Sequence, residues 1–205
     1  QQAIDNHERE KLPMGVVLTK HTRALVVGTF GAMATFVLFY LMTVFTLSWG
    51  TSSLGYERQD FLIMQIIGVL FFALTIPISA LAADRVGQRL TLIVVSVAIV
   101  AFGLTFQPLF GSGSHALVQT FLCLGLGLMG LTYGPIGTAL AELFPTAVRY
   151  TGASLTFNLA GIFGASLAPY IATRLATDHG LAYVGYYMSA AGAVTLLALL
   201  VGPRR

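Results

Sequence analysis

The stretch "GLGLMG", Gly125 to Gly130, has the G-x-G-x-x-G spacing that cradles the pyrophosphate of a dinucleotide in soluble dehydrogenases. That chemistry requires a preceding strand, a helix that begins at the glycines, and an acidic residue about 20 positions later that binds the ribose. Here the glycines lie inside an uncharged run, and the next acid, Glu142, follows too soon. The spacing therefore predicts no dinucleotide site, and the glycines need a structural explanation.

The other reactive side chains do not form a recognisable site either. Cys123 is the only cysteine of the sequence, which indicates neither a disulfide within the chain nor a cysteine-based metal site. The apolar runs contain neither aspartates nor the H-E-x-x-H motif of an intramembrane protease. We therefore expect no enzyme activity, no catalytic residue, no metal and no cofactor. The four histidines lack ligand spacing: His7, His21, His115 and His179.

Composition indicates an integral membrane protein. The 205 residues are 56% hydrophobic and 9% charged, whereas a soluble domain has roughly 25% charged residues. The net charge of +3 comes from short clusters between apolar runs, so it does not indicate nucleic-acid binding. Six runs are long enough to cross a hydrocarbon core of about 30 Å as helices. They cover residues 24–49, 61–82, 90–106, 116–141, 151–173 and 182–201, and the third is expected to extend into "QPLF".

Basic residues lie unevenly on the two sides of these crossings. Only Arg58 and Arg174 fall on one side, and the other nine lysines and arginines fall on the side of both chain ends. Since short loops rich in Lys and Arg stay in the cytoplasm, we expect both termini to be cytoplasmic.

The two ends of the chain are predicted to be a linker and a tail. Residues 1–23 lack the apolar core of a signal peptide and are rich in charge, so they are interpreted as a cytoplasmic linker. Part of it forms either an interfacial helix, with Met14, Val17 and Leu18 against the membrane, or a disordered tether. Residues 202–205 form a short tail, and the start on Gln-Gln favours a preceding segment.

Small residues explain the glycine-rich run. Gly130 and Gly134 form G-x-x-x-G on the fourth predicted helix, and Gly161 and Gly164 form a similar stripe on the fifth. In lipid, helices associate through close backbone approach, which such stripes permit. We therefore expect the fourth and fifth helices to pack tightly against each other.

Prolines suggest an internal symmetry. Pro77 and Pro169 occupy corresponding places in the second helices of two triplets that would run in opposite directions. Inverted repeats of three helices with such interruptions are typical of transporter halves. Pro135 predicts a local break in the fourth helix.

Three motifs carry a family resemblance. "SALAADRVGQR", Ser79 to Arg89, resembles the D-R-x-G-x-R signature between the second and third helices of each half of major facilitator superfamily transporters. "AELFPTAVRYTGASL", Ala141 to Leu155, is similar to the segment that joins helices ten and eleven in the metabolite:proton symporter branch and its sugar-porter relatives. "KLPMGVVLTKHTRALVVG" is similar to the linker into helix seven. The resemblance implies an all-α protein of the bacterial inner membrane, with helices seven to twelve as a 3+3 inverted repeat.

Charges of the first two motifs are candidates for a cytoplasmic gate. Arg85 and Arg89 fall at the cytoplasmic end of the second predicted helix, where they can neutralise its negative terminus and contact acidic head groups. Our hypothesis is that Asp84 either acts as a cap or pairs across the cytoplasmic face with Arg149, and that Glu142 pairs with Arg85 or Arg89. In the family, such pairs close the cytoplasmic side. The alternative is that these charges only set topology.

Polar residues at mid-membrane depth are candidates for substrate contact. The resemblance implies that the first helix of each triplet lines a central cavity, with the second helices beside it. An amide that faces lipid is costly, so each predicted amide either binds substrate or bonds between helices, and the tyrosines either line the cavity or pack. The candidates are Thr35, Tyr40, Gln65, Tyr133 and Asn158.

Two functions follow. The first is the C-terminal half of a secondary transporter that works with an N-terminal six-helix half on a small organic acid, sugar or osmolyte. Symport with a proton is implied by the family alone, because no Asp, Glu, Lys, Arg or His lies near the middle of the six runs. The second is a self-standing six-helix binding or assembly module, or a half-size carrier that dimerises.

Overall fold

The computed structural model describes residues 13–202, and the predictions for residues 1–12 and 203–205 lie outside this range. Within it the chain is helical, without strands. Five helices are long and apolar enough to cross a membrane, and α4 and α5 taken together are long and apolar enough for a sixth, bent crossing. The helices are α1 (Pro13–Lys20), α2 (Thr22–Ser52), α3 (Arg58–Val86), α4 (Gln88–Gly103), α5 (Phe106–Ser112), α6 (His115–Glu142), α7 (Thr146–His179) and α8 (Leu181–Val201).

The third crossing is bent. The axes of α4 and α5 differ by 54° across the short break between them. The predicted extension through "QPLF" is confirmed, and Gly113, at a φ of 71°, ends it in the left-handed region. Nearby, the Tyr56 hydroxyl donates to the carbonyl of Gly113 at 3.2 Å, and burial raises the pKa of Tyr56.

Helix pairing has the two-fold pattern of an inverted repeat. The most extensive pairs are α3 with α6, α4 with α8, α2 with α8, and α2 with α7. The first triplet of crossings is α2, α3 and α4 with α5, and the second is α6, α7 and α8. When each crossing is replaced by its counterpart in the other triplet, the α3–α6 pair becomes the α7–α2 pair, and the α4–α8 pair stays the same. The predicted all-α membrane fold with a 3+3 arrangement is therefore confirmed.

Glycines bring α3 and α6 together. A Cβ atom on Gly130 would overlap the Thr75 hydroxyl and the carbonyl of Phe72, and one on Gly134 would overlap the Ser79 hydroxyl. Only a residue without a side chain allows the backbones to approach this closely. The glycines that the sequence singled out are therefore packing residues.

Polar side chains cross this interface to the facing backbone. The Thr75 hydroxyl donates to the carbonyl of Gly127 at 2.8 Å, and the Gln119 amide donates to the carbonyl of Met64 at 3.1 Å. Such bonds satisfy polar groups where lipid provides no water. They fix the register of α3 along α6.

The predicted partner of the glycine stripes is corrected. α6 and α7 contact each other less than α6 contacts α3 or α7 contacts α2. A Cβ on Gly164 would lie 2.7 Å from the carbonyl of Met33 on α2, and one on Gly161 would lie 3.5 Å from the Phe36 ring. The reason is the inverted repeat: the glycine stripe of α6 packs on α3, and that of α7 packs on α2, each a helix of the first triplet.

The three predicted prolines differ in their effect on the helices that contain them. α3 continues through Pro77 and α6 through Pro135, so the predicted break in the fourth helix is absent. A π turn, Ile162–Ser166, interrupts α7 just before Pro169, which lies in the first turn of the resumed helix. α2 also contains a π turn, Leu41–Phe45. Pro77 and Pro169 occupy corresponding places in the sequence, but only α7, which contains Pro169, is interrupted near its proline.

Helix α1 lies against the turn between α6 and α7. Val17 is fully buried in a small cluster with Phe144 and Val148, whereas Met14 and Leu18 are exposed. The predicted helix is present, and the placement of Val17 against the membrane is corrected. One part of the apolar surface of α1 therefore packs against the protein, and another part is exposed.

We expect Gly130→Val to destabilise the bundle, because its side chain must displace α3, and such overpacking costs about 1–3 kcal/mol. The unfolding midpoint of the native protein in detergent would measure the loss. Gly137→Val is the matched control on the same helix, since a Cβ there meets no atom within 4 Å. Equal losses in both variants would contradict the close contact of α3 and α6.

Candidate functional site

A cleft of about 350 Å³ opens between α2, α6 and α7. Three of the five predicted cavity residues, Tyr40, Tyr133 and Asn158, line it together. They come from three helices and are far apart in sequence. The remaining lining residues are Phe36, Phe39, Phe157, Gly161, Ile162, Ala165 and Ser166.

Both π turns border this cleft. Tyr40 is the last residue before the π turn Leu41–Phe45, and Ser166 ends the π turn Ile162–Ser166. A π turn widens the backbone and is frequent at functional sites. The two turns therefore place irregular backbone beside the polar side chains of the cleft.

The polar groups of the cleft are neutral. Asn158 is exposed, and its Nδ2 donates to the carbonyl of Ser154 at 2.8 Å. Its Oδ1 accepts no hydrogen bond from the part of the chain that the structure describes, so it is available to a ligand. Tyr133 packs edge-on against Phe72 at 5.4 Å between ring centroids, and Tyr40 packs similarly against Phe39 at 5.1 Å. The cleft can thus bind by hydrogen bonds and ring contacts.

Gln65 and Thr35 do not line the cleft. The Gln65 Nε2 donates to the carbonyls of Met42 and Thr43, both at 2.9 Å, inside the π turn of α2. It therefore bonds between helices, which was one of the two alternatives for this amide. Thr35 is buried in α2, with 2% of its surface exposed.

Sequence reasoning missed the three phenylalanines of the cleft, Phe36, Phe39 and Phe157. Phe36 and Phe157 meet edge-on across it, with ring centroids 4.8 Å apart. A signal was present, because Phe36, Phe39 and Tyr40 recur at the spacing of one helix face. It was hidden among many other apolar residues of the same run.

A second cleft, of about 600 Å³, continues from the first along α6 and α7. The two share Phe157 and Asn158, and the second extends to Arg149. The Arg149 Nε donates to the carbonyl of Phe144 at 3.4 Å. The two clefts together therefore lead from the π turns to the end of the bundle that carries Arg85, Arg89 and Arg149, here named the arginine end.

The charges of the arginine end are arranged differently from the hypothesis. Arg89 donates through Nε to the carbonyl of Leu199 at 2.8 Å and through Nη2 to that of Leu200 at 2.9 Å. It therefore caps the negative C-terminal end of α8. The sequence predicted Arg89 at the negative end of the second helix, and the structure corrects this: the helix that Arg89 caps is α8.

The predicted ion pair of Asp84 with Arg149 is absent. Both residues are exposed and line different clefts. Among residues 13–202 the structure contains one ion pair, Arg174 with Asp178 at 3.9 Å. Asp84 lines a cleft beside α3 and α4, and Arg149 lines one beside α6 and α7. The sequences of the two turns do not specify how far apart these side chains lie. Arg85 is exposed, and Glu142 shares a cleft with Arg89.

Comparison with known proteins agrees with this architecture. The sequence profile described as "Sugar (and other) transporter" matches residues 24–202. The chain is 48% identical over 196 residues to the inner membrane metabolite transport protein YhjE of Escherichia coli, covering 93% of this chain and 44% of that protein.

More distant relatives have narrower names. A citrate-proton symporter of Salmonella typhi is 29% identical, over 82% of this chain and 39% of that protein. A proline/betaine transporter of Escherichia coli is 26% identical, over 91% of this chain and 37% of that protein. The chain spans less than half the length of these curated relatives. No solved structure matches the chain.

We expect Gln65→Leu to loosen the π turn of α2, because the Thr43 carbonyl loses its side-chain donor and the Met42 carbonyl keeps only that of Thr46, at a cost of about 1–3 kcal/mol. The unfolding midpoint should fall, and a spin label next to the turn should become more mobile. Gln107→Leu provides the matched control, since Gln107 is exposed on α5. A Gln65→Leu protein with unchanged label mobility would show that the turn does not depend on this amide.

Proposed function

Because the chain belongs to the sugar (and other) transporter family of the major facilitator superfamily, we propose that it is the C-terminal half of a secondary active transporter. The chain is a multi-pass membrane protein, and its relatives are named as metabolite transport proteins. Its six crossings match one half of that fold, and it spans 44% of the Escherichia coli relative. We propose an N-terminal six-helix half as its partner.

The cleft of Tyr40, Tyr133 and Asn158 is the observation that carries the proposal. It joins three distant segments into one hydrogen-bonding surface between helices, which is where ligands bind in helical bundles. Hydroxyl and amide groups suit a small organic acid, sugar or osmolyte. The names of the relatives, which include citrate, proline and betaine, support the same classes.

Transport would proceed by alternating access. The helices α3 and α7 present large apolar side chains on their outer faces, among them Leu70, Leu74, Leu167 and Tyr170. These faces offer contact with lipid and with a second half. The π turns beside the cleft supply points where α2 and α7 can bend as the halves rock.

Proton coupling would depend on the partner half. The six crossings carry no Asp, Glu, Lys, Arg or His near their middle, and proton relays normally use such groups. We propose that the titrating residue lies in the N-terminal half. We also propose that both termini face the cytoplasm, which the nine basic residues of that side support.

In the native protein, Asn158→Ala and Tyr133→Phe should each raise the KM for the transported compound about tenfold, because each removes one hydrogen bond of about 1.4 kcal/mol. Uptake into proteoliposomes would be measured with radiolabelled citrate, betaine and glucose. An imposed proton gradient and a protonophore would test symport in the same vesicles.

Thr177→Ala is the matched control for Asn158→Ala. Thr177 is exposed on α7 and, like Asn158, donates to the carbonyl four residues earlier, but it lies outside the cleft. Its variant should transport normally. If Asn158→Ala and Tyr133→Phe also kept normal KM values, the cleft would not be the substrate site.

The partner half can be tested directly. An antibody against α1 should detect a protein of about twice 21.8 kDa in native membranes. A single species near 21.8 kDa would instead support the self-standing six-helix module or the dimerising carrier.

A further inference from the structure

Aromatic rings line much of the cleft that contains Tyr40, Tyr133 and Asn158. Five of its ten lining residues carry a ring, and these rings come from α2, α6 and α7. None of the five side chains is fully buried, so part of each ring is accessible. The five, here named the aromatic cage, are Phe36, Phe39, Tyr40, Tyr133 and Phe157.

The rings of the aromatic cage face in different directions. The planes of Phe36 and Phe157 meet at 70°, and those of Phe39 and Tyr40 meet at 71°. A stack of parallel rings would present one flat surface, whereas rings at these angles present surface on several sides of one space. The cage can therefore surround part of a small ligand.

The charge of the cleft limits which ligand that is. Among the described residues, those that line the cleft carry no charge. A carboxylate without a cationic partner is costly to remove from water, so this wall is unsuited to a simple organic anion. The face of an aromatic ring is the negative part of its quadrupole and attracts a cation. The wall therefore favours a ligand with a cationic group.

The rest of the wall selects the kind of cation. Ile162 and Ala165 are apolar, and Asn158 contributes one free amide oxygen. A primary ammonium group has three N–H donors that each need an acceptor. A quaternary ammonium group has no N–H, and its methyl groups pack against rings and aliphatic side chains alike. Aromatic cages in proteins bind such groups by cation–π attraction.

We infer that the cleft binds a small zwitterion through its quaternary ammonium group, which the aromatic cage surrounds. This inference rests on the proposed function, because it names the substrate class of the same cleft. A zwitterion has no net charge and so suits a neutral wall between membrane helices. The hydroxyls of Tyr40 and Tyr133 donate hydrogen bonds to its carboxylate.

Binding to the native full-length protein in detergent tests the inference with two matched probes. Glycine betaine and tert-butylacetate share one shape and one carboxylate, but the second has a carbon atom in place of the quaternary nitrogen. Cation–π attraction should make glycine betaine bind about tenfold more tightly. Isothermal titration calorimetry would measure both dissociation constants.

Ring variants locate the effect. Phe157→Leu removes one ring but keeps an apolar side chain, so the affinity for glycine betaine should fall about fivefold and that for tert-butylacetate should change little. Phe163→Leu is the matched control and should keep both affinities. Phe163 also lies on α7 and pairs with a phenylalanine of α2, Phe30, at 6.2 Å, but it lies outside the cleft. Tyr133→Leu is a second ring variant should Phe157→Leu not fold.

Two results would overturn the inference. One is an equal affinity for glycine betaine and tert-butylacetate. The other is a ratio of the two affinities that neither ring variant lowers. Either result would assign the rings to packing alone.

Uptake into proteoliposomes separates these results from failure of the proposed function. Citrate or glucose uptake that depends on Asn158 and Tyr133, without binding of glycine betaine, would overturn the substrate class and leave the cleft as the transport site. Binding of glycine betaine with the expected loss in Phe157→Leu, but without uptake of any compound, would support the aromatic cage and contradict transport.

Discussion

Close backbone contact between α3 and α6 is the interaction on which the rest of this bundle depends. Lipid gives helices no hydrophobic reason to associate, so packing and interhelical hydrogen bonds must hold them together. Gly130 and Gly134 let α6 approach the backbone of α3, and Thr75 then reaches the carbonyl of Gly127. The same device recurs where Gly164 of α7 meets α2. The α3–α6 contact and the α2–α7 contact are therefore equivalent positions of the inverted repeat.

That packing decides where irregular backbone can exist. A π turn exposes carbonyl groups that lipid cannot solvate, so it persists only where protein or water satisfies them. In α2 the Gln65 amide bonds to two carbonyls of the turn Leu41–Phe45. The Gln65 amide, a predicted candidate for substrate contact, instead supports the backbone beside Tyr40. The cleft therefore depends on a residue that does not line it.

The arginine end shows a similar division of roles. Arg89 caps α8 rather than pairing with an acid, and Asp84 and Arg149 lie in different clefts. The end of the bundle thus combines a structural cap with an apolar cavity of about 90 Å³ between α2, α4, α6 and α8.

The sequence by itself determined the class of protein, the six crossings and the family, because apolar length and charged loop motifs are local properties. It also identified Tyr40, Tyr133 and Asn158 as candidates, since polar residues at membrane depth are few. Only the tertiary structure decided which helices the glycine stripes of α6 and α7 contact, that Gln65 bonds to the π turn, and that Arg89 caps α8. These depend on contacts between residues more than 20 positions apart, and helical periodicity does not specify the partner of a face.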